Sequence, residues 1–234
     1  MQAETIIPAR FNGPPGSGNG GYSCGLLAAR IDGPARVRLH APPPLETGLS
    51  VSAAAGGGIQ FYDGATLVAS AEPAELELAI PPPPSHAAAQ AAMTGFPCYE
   101  GHPFPTCFVC GPARAQRDGL ALFPGPLASG NVWACAWQPS ADLLDDRGML
   151  RPEILWSALD CPGYFAVLGE RLRPALLGEL VAELRADVSA AAPLVVYAWP
   201  LGSEGRKHYA GTAIATVQGD IVACARSIWI ELKR

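Results

Sequence analysis

The chain has 234 residues, 49% hydrophobic and only 16% charged, which excludes a disordered chain and suffices for one large domain or two small fused ones. A formal net charge of −5 and a pI near 5.4 argue against a nucleic-acid partner. No apolar run reaches the length of a membrane span, and the opening MQAETIIPAR lacks the apolar stretch of a signal peptide. A cytoplasmic chain without a membrane partner is therefore expected. Seven cysteines, an odd number scattered through the chain, fit reduced thiols better than a disulfide framework. The 26 glycines and 24 prolines favour strands and turns over long helices.

In chain order, a Gly-rich loop (13–21) leads into a helical candidate at 20–31, GGYSCGLLAARI. Strand-like runs follow at 35–41, 48–64 and 66–78. Four consecutive prolines at 81–84 open a connector expected over 81–106, stiff at its start because polyproline is extended. Beyond it come strand candidates GLALF (119–123) and NVWACAW (131–137), then a helical candidate at 150–168, LRPEILWSALDCPGYFAVL. Further strand-like runs lie at 176–188, 192–201, 207–218 and 220–232. Asp63-Gly64 and Gly219-Asp220 carry hairpin chemistry. Residues 1–80 and 107–234 thus each read as one short helix followed by an antiparallel meander. That is an α+β pattern, and wrapping a sheet around each helix is the natural way to bury it.

Two stretches carry a family resemblance. CFVCGPARAQRDGLALFPGPL (107–127) resembles the CFVCG…GL segment that opens many acyl-CoA thioesterase-like hotdog domains. The second stretch is the central helix, whose family pattern is a His-Gly-Gly turn with an acid nine positions after the His. Here Asn19-Gly20-Gly21 stands in that turn in the first half, with Ala28 in place of the acid. In the second half Arg151-Pro152-Glu153 stands in the turn, and Asp160 is the acid. The resemblance implies a double hotdog, two central helices each wrapped by antiparallel β-sheet, and hydrolysis of an acyl-CoA thioester substrate without a cofactor.

Thioester hydrolysis needs donors for the developing oxyanion and a carboxylate that activates water or attacks. Nine helical residues turn through about 900° and rise ~13 Å. The acid therefore points away from the start of its own helix and can serve only the start of another. The first helix offers Gly20 and Gly21 N–H groups but no acid. The second offers Asp160, while Pro152 has no N–H to donate. One composite catalytic site of Asp160, Gly20, Gly21 and Asn19 is expected per chain, with the mirror site of Ala28 and Pro152 inactive. Asp160 is the only charged residue from 154 to 168, which favours a raised pKa. Pro162 should kink or end the helix. The alternative is an Asp that caps a helix break or faces water.

Trp156, Tyr164 and Trp199 are candidates to line an acyl tunnel, with plain core as the alternative. Arg206 and Lys207 can meet coenzyme A phosphates or decorate a solvated hairpin tip. Gly21-Tyr22-Ser23-Cys24-Gly25 matches G-x-S-x-G, with Asp160 and His208 following in triad order, but no buried strand precedes Ser23. The run 13–21 lacks the Lys-Ser/Thr ending of a P-loop and reads as a flexible entrance to the helix. Cys98, His102, Cys107 and Cys110 have spacing for a structural zinc, against a simpler reading as buried positions at a strand start. No metal is assigned. A non-catalytic acyl-CoA or small-ligand binding protein on the same fold is the rival function, and a homodimer through exposed sheet edges stays open.

Overall fold

The computed structural model describes residues 4–115, 118–128, 130–189 and 192–233. Residues 116 and 117 of the family-like segment and the chain ends bounding the two expected halves lie outside the described residues. The first half contributes β1 (Glu4–Ile6), α1 (Gly20–Ala28), β2 (Ala35–Leu39), β3 (Gly48–Ala53), β4 (Ile59–Asp63) and β5 (Thr66–Pro73). After α2 (His86–Ala92) come β6 (Gly125–Pro126), β7 (Trp133–Trp137), α3 (Pro152–Ala158), α4 (Cys161–Leu168), β8 (Ala175–Leu184), β9 (Leu194–Glu204), β10 (Lys207–Thr216) and β11 (Ile221–Glu231).

All eleven strands join one antiparallel sheet in the order β1-β3-β4-β5-β2-β8-β11-β10-β9-β7-β6. The two halves meet at β2 and β8, where Arg38 stands opposite Glu179. Their side chains lie 2.8 Å apart, and the Glu179 carboxylate is buried at this junction. Both expected hairpins form. Gly64 (φ +58°) and Gly219 (φ +98°) take left-handed turn positions that favour glycine.

One face of the sheet wraps α1, α3 and α4. Helix α1 packs on β2, β5 and β8, and α4 packs on β9, β10 and β7. Both helices are apolar almost all round, as helices enclosed by a sheet must be. Helices α1 and α3 run against each other through Gly21 and Gly25. A Cβ on Gly21 would lie 2.6 Å from Asp160 Cβ and from the Trp156 carbonyl, and one on Gly25 would lie 2.5 Å from Glu153 Cα. The i, i+4 spacing puts both glycines on one helix face, so the G-x-S-x-G match is here a helix-contact stripe. Ser23 sits in the first turn of α1, donating its hydroxyl to the Asn19 carbonyl at 2.8 Å, and not on a strand-to-helix elbow.

Several segments differ from expectation. The 150–168 candidate forms two helices broken at Asp160, whose ψ of −87° leaves the helical region. GLALF forms no strand. Its Leu120 and Leu122 N–H groups donate to Phe108 and Val109 carbonyls at 2.8 and 2.9 Å, Ala121 has a φ of +52°, and Pro124 and Pro126 interrupt the run. The connector is more than an extended spacer, because Ser85 caps α2 and Ala89 is buried among residues of β7 and β9. The loop at 13–19 is pinned rather than loose. Gly18 and Asn19 N–H groups donate to Pro43 and Phe11 carbonyls at 2.8 and 2.7 Å.

Candidate functional site

The start of α1 and the break between α3 and α4 meet inside the sheet. Asn19 takes an extended conformation and caps α1, its Oδ1 accepting the Tyr22 N–H at 2.9 Å. Its Nδ2 donates to Asp160 Oδ2 at 2.8 Å. The Gly21 N–H donates to the same oxygen at 2.9 Å. Asp160 neither caps its own helix nor faces water, being 2% exposed. Its carboxylate sits on the N-terminus of the opposite helix, where unpaired N–H groups and the helix dipole favour a negative charge. Asp160 Oδ1 is buried without a partner. Burial raises the Asp160 pKa to about 7 and the Cys107 sulfur adds to the rise, while the Gly21 and Asn19 donors oppose it.

A cavity of about 400 Å³ opens here, within the usual range for small-ligand sites. Asn19, Gly20 and Asp160 line its polar end, together with Cys107, Cys110 and Cys161. Leu39, Phe104, Phe165, Leu177 and Trp229 supply apolar wall. Among the described residues the Gly20 N–H has no hydrogen-bond acceptor. His102 also lines the cavity. Its Nδ1 accepts the Phe104 N–H at 2.9 Å, so the neutral ring carries its proton on Nε2, which is buried and unpartnered. Burial lowers the His102 pKa.

The sheet order and the helices it encloses have counterparts among solved structures. The tesB protein of Mycobacterium avium subspecies paratuberculosis superposes with a TM-score of 0.62 at 12% identity, covering 98% of this chain and 91% of that one. An acyl-CoA thioesterase II, TesB2, of Mycobacterium marinum gives 0.58 at 10% identity, covering 86% and 80%. A proposed thioesterase of Novosphingobium aromaticivorans gives 0.64 at 13% identity, covering 98% and 94%. The fold is a double hotdog. No protein-family profile and no curated protein matches the chain. No helix among the described residues is long and apolar enough to cross a membrane.

The double hotdog brings Asn19, Gly20, Gly21 and Asp160 together. It changes what two of them can offer. The Gly21 N–H is engaged by Asp160, so of the two glycines only Gly20 keeps a donor for a ligand. Asn19 is committed to capping α1 and to holding Asp160. The cavity lining includes neither Ala28 nor Pro152. Tyr164 lines the cavity, its hydroxyl donating to the Arg173 carbonyl at 3.1 Å. Trp156 does not line it, because the glycine stripe of α1 draws α3 close and places Trp156 between the helices. Trp199 lies over Gly211 on β10, away from the cavity. Arg206 donates to the Glu231 carbonyl at 2.9 Å. Lys207 is exposed and stands opposite Ile230, a cavity-lining residue. His208 faces Glu231 at 3.4 Å, and neither group meets Ser23.

Sequence reasoning missed Cys161 as a neighbour of the C-x-x-C pair. The sulfurs of Cys107, Cys110 and Cys161 all lie within 4.8 Å of one another, although 54 residues separate Cys107 from Cys161. No local pattern encodes that approach. Cys98, the first residue of the C-x3-H-x4-C-x2-C pattern, is not part of this trio.

Proposed function

We propose that the chain hydrolyses thioesters of the acyl-CoA class at one composite site. The observation that carries this reading is the buried Asp160 carboxylate on the start of α1, with Oδ2 held by two donors and Oδ1 left unpartnered in a residue that lines an apolar cavity. Oδ1 takes a proton from water, and the hydroxide so formed attacks the thioester carbonyl. Negative charge builds on the carbonyl oxygen, and the Gly20 N–H is the donor available to receive it. The thiolate then leaves and recovers the proton from Asp160, yielding a carboxylic acid and a free thiol. The TesB-type proteins that share the double hotdog support the choice of thioester over other acyl compounds.

The apolar wall is suited to the acyl group, and Lys207, one strand from that wall, is suited to a phosphate of the carrier. The division into halves at 1–80 and 107–234, joined by 81–106, belongs to the same proposal, as does a reducing, cytoplasmic setting in which the seven cysteines remain thiols. The test is steady-state release of free thiol from a panel of acyl-CoA esters of increasing chain length. Turnover supports hydrolysis. Tight binding of the same esters without turnover replaces it with the binding-protein reading.

A further inference from the structure

The three thiols at the cavity carry an inference independent of thioester hydrolysis. Cys107 and Cys110 come from the turn after the connector, and Cys161 is the first residue of α4. The side chains are buried. Cys107 Sγ and Cys161 Sγ are 3.7 Å apart, and the Cys110 sulfur lies within 4.8 Å of both. Zinc bound at ~2.3 Å by tetrahedral thiolates holds its sulfurs about 3.8 Å apart. One pair already has that spacing, and Cys110 need move by no more than about 1 Å.

A side-chain donor lies beside two of the sulfurs. Asn19 Nδ2 lies 4.0 Å from Cys107 Sγ and 3.9 Å from Cys161 Sγ. Cys161 occupies the first position of α4, so its backbone is fixed by the helix that follows. The turn is fixed in shape. A Cβ on Gly111 would lie 2.5 Å from the Cys107 nitrogen, so the chain folds tightly back on the first cysteine.

We propose that Cys107, Cys110 and Cys161 form a three-thiolate site for zinc(II), with the fourth position taken by water or by a thiol entering the cavity. Binding to the reduced protein forms three Zn–S bonds and releases three thiol protons to solvent, with no change in oxidation state. The donor set differs from the one the local spacing marks. Cys98 lies outside the trio, and His102 keeps its proton on Nε2 while Nδ1 accepts the Phe104 N–H, so its ring has no free lone pair for a metal.

The experiment titrates zinc(II) into the full chain, reduced and stripped with chelator, against a chromogenic competitor. One equivalent should bind with a Kd below about 100 nM at pH 7.5. Cobalt(II) in its place should give intense near-ultraviolet thiolate-to-metal bands and the visible bands of a tetrahedral ion. Cys110→Ser and Cys161→Ser should each weaken binding at least ~100-fold, and Cys98→Ser should leave it unchanged. The cobalt spectrum reads the donors in the unaltered protein, so it stands if either site variant fails to fold. Binding of less than half an equivalent, a cobalt spectrum without thiolate bands, or loss of binding in Cys98→Ser would overturn the assignment. None of these readouts depends on thioester turnover, so failure here and failure of the hydrolase reading are distinguishable.

Discussion

Replacing Asp160 by Asn should separate stability from function and reveal a pH signature. The folded protein holds this carboxyl at about 7, against an ordinary value near 3.8 in the unfolded chain. A carboxyl with a raised folded pKa binds its proton more tightly in the native state, so the unfolded state is favoured as pH rises between the two values. Below 3.8 both states are protonated and the cost vanishes. Above 7 both are ionised and the cost is complete, about 4 kcal/mol. Between pH 5 and pH 8 the wild type should lose about 2–3 kcal/mol that the Asn variant keeps. Asn preserves shape, and its carbonyl can accept the Gly21 and Asn19 donors. Its amide then lies where Oδ1 was unpartnered, at a pH-independent cost of ~1–3 kcal/mol. The pH-dependent difference is free of that offset. Urea unfolding of both proteins at pH 5 and pH 8, reduced and with chelator present, measures it. A stability difference that is the same at both pH values would refute the burial argument for Asp160.

Other consequences are equally direct. The kcat/KM of the wild type should rise with pH through a limb near 7, and Asp160→Asn should abolish that limb along with most of the rate, by ~10²-fold or more. Gly21→Ala forces a methyl to within 2.6 Å of Asp160 Cβ and the Trp156 carbonyl and should cost about 1–3 kcal/mol in urea unfolding. Gly33→Ala, at a φ of +80° with open space around it, should cost only ~1 kcal/mol. Asn19→Ala removes the α1 cap and one donor to Asp160, so it should cost about 1 kcal/mol and move the pH limb upward, read from the pH–rate profile. Lys207→Ala should raise KM for coenzyme A thioesters while leaving KM unchanged for thioesters lacking the nucleotide.

What the sequence made legible follows from locality. The hairpins at Gly64 and Gly219 are set by a few adjacent residues, so their chemistry shows in the letters, whereas the capping role of Asn19 emerges only once α1 is in place. The pairing of a glycine turn in one half with an acid in the other follows from helix phase, which fixes where an acid nine residues along can point. Elements decided by distant partners did not show. GLALF alternates like a strand, yet its backbone bonds to the turn at Phe108 and Val109. Gly21 and Gly25 read as turn or elbow residues until α3 lies against them. Glycine N–H groups look equivalent in a sequence, but the Asp160 carboxylate occupies the one on Gly21 and leaves the one on Gly20. Cys161 joins Cys107 and Cys110 only because the break at Asp160 turns the start of α4 toward them.

If Asp160 on the start of α1 drives thioester hydrolysis, the first turnover must depend on its carboxylate. Single-turnover hydrolysis of an acyl-CoA ester by excess enzyme, wild type beside Asp160→Asn with matched circular dichroism, tests it most directly. The wild type should release free thiol and carboxylic acid, and the folded variant should hold a bound ester that stays intact. Hydrolysis at an undiminished rate in the variant would contradict that dependence.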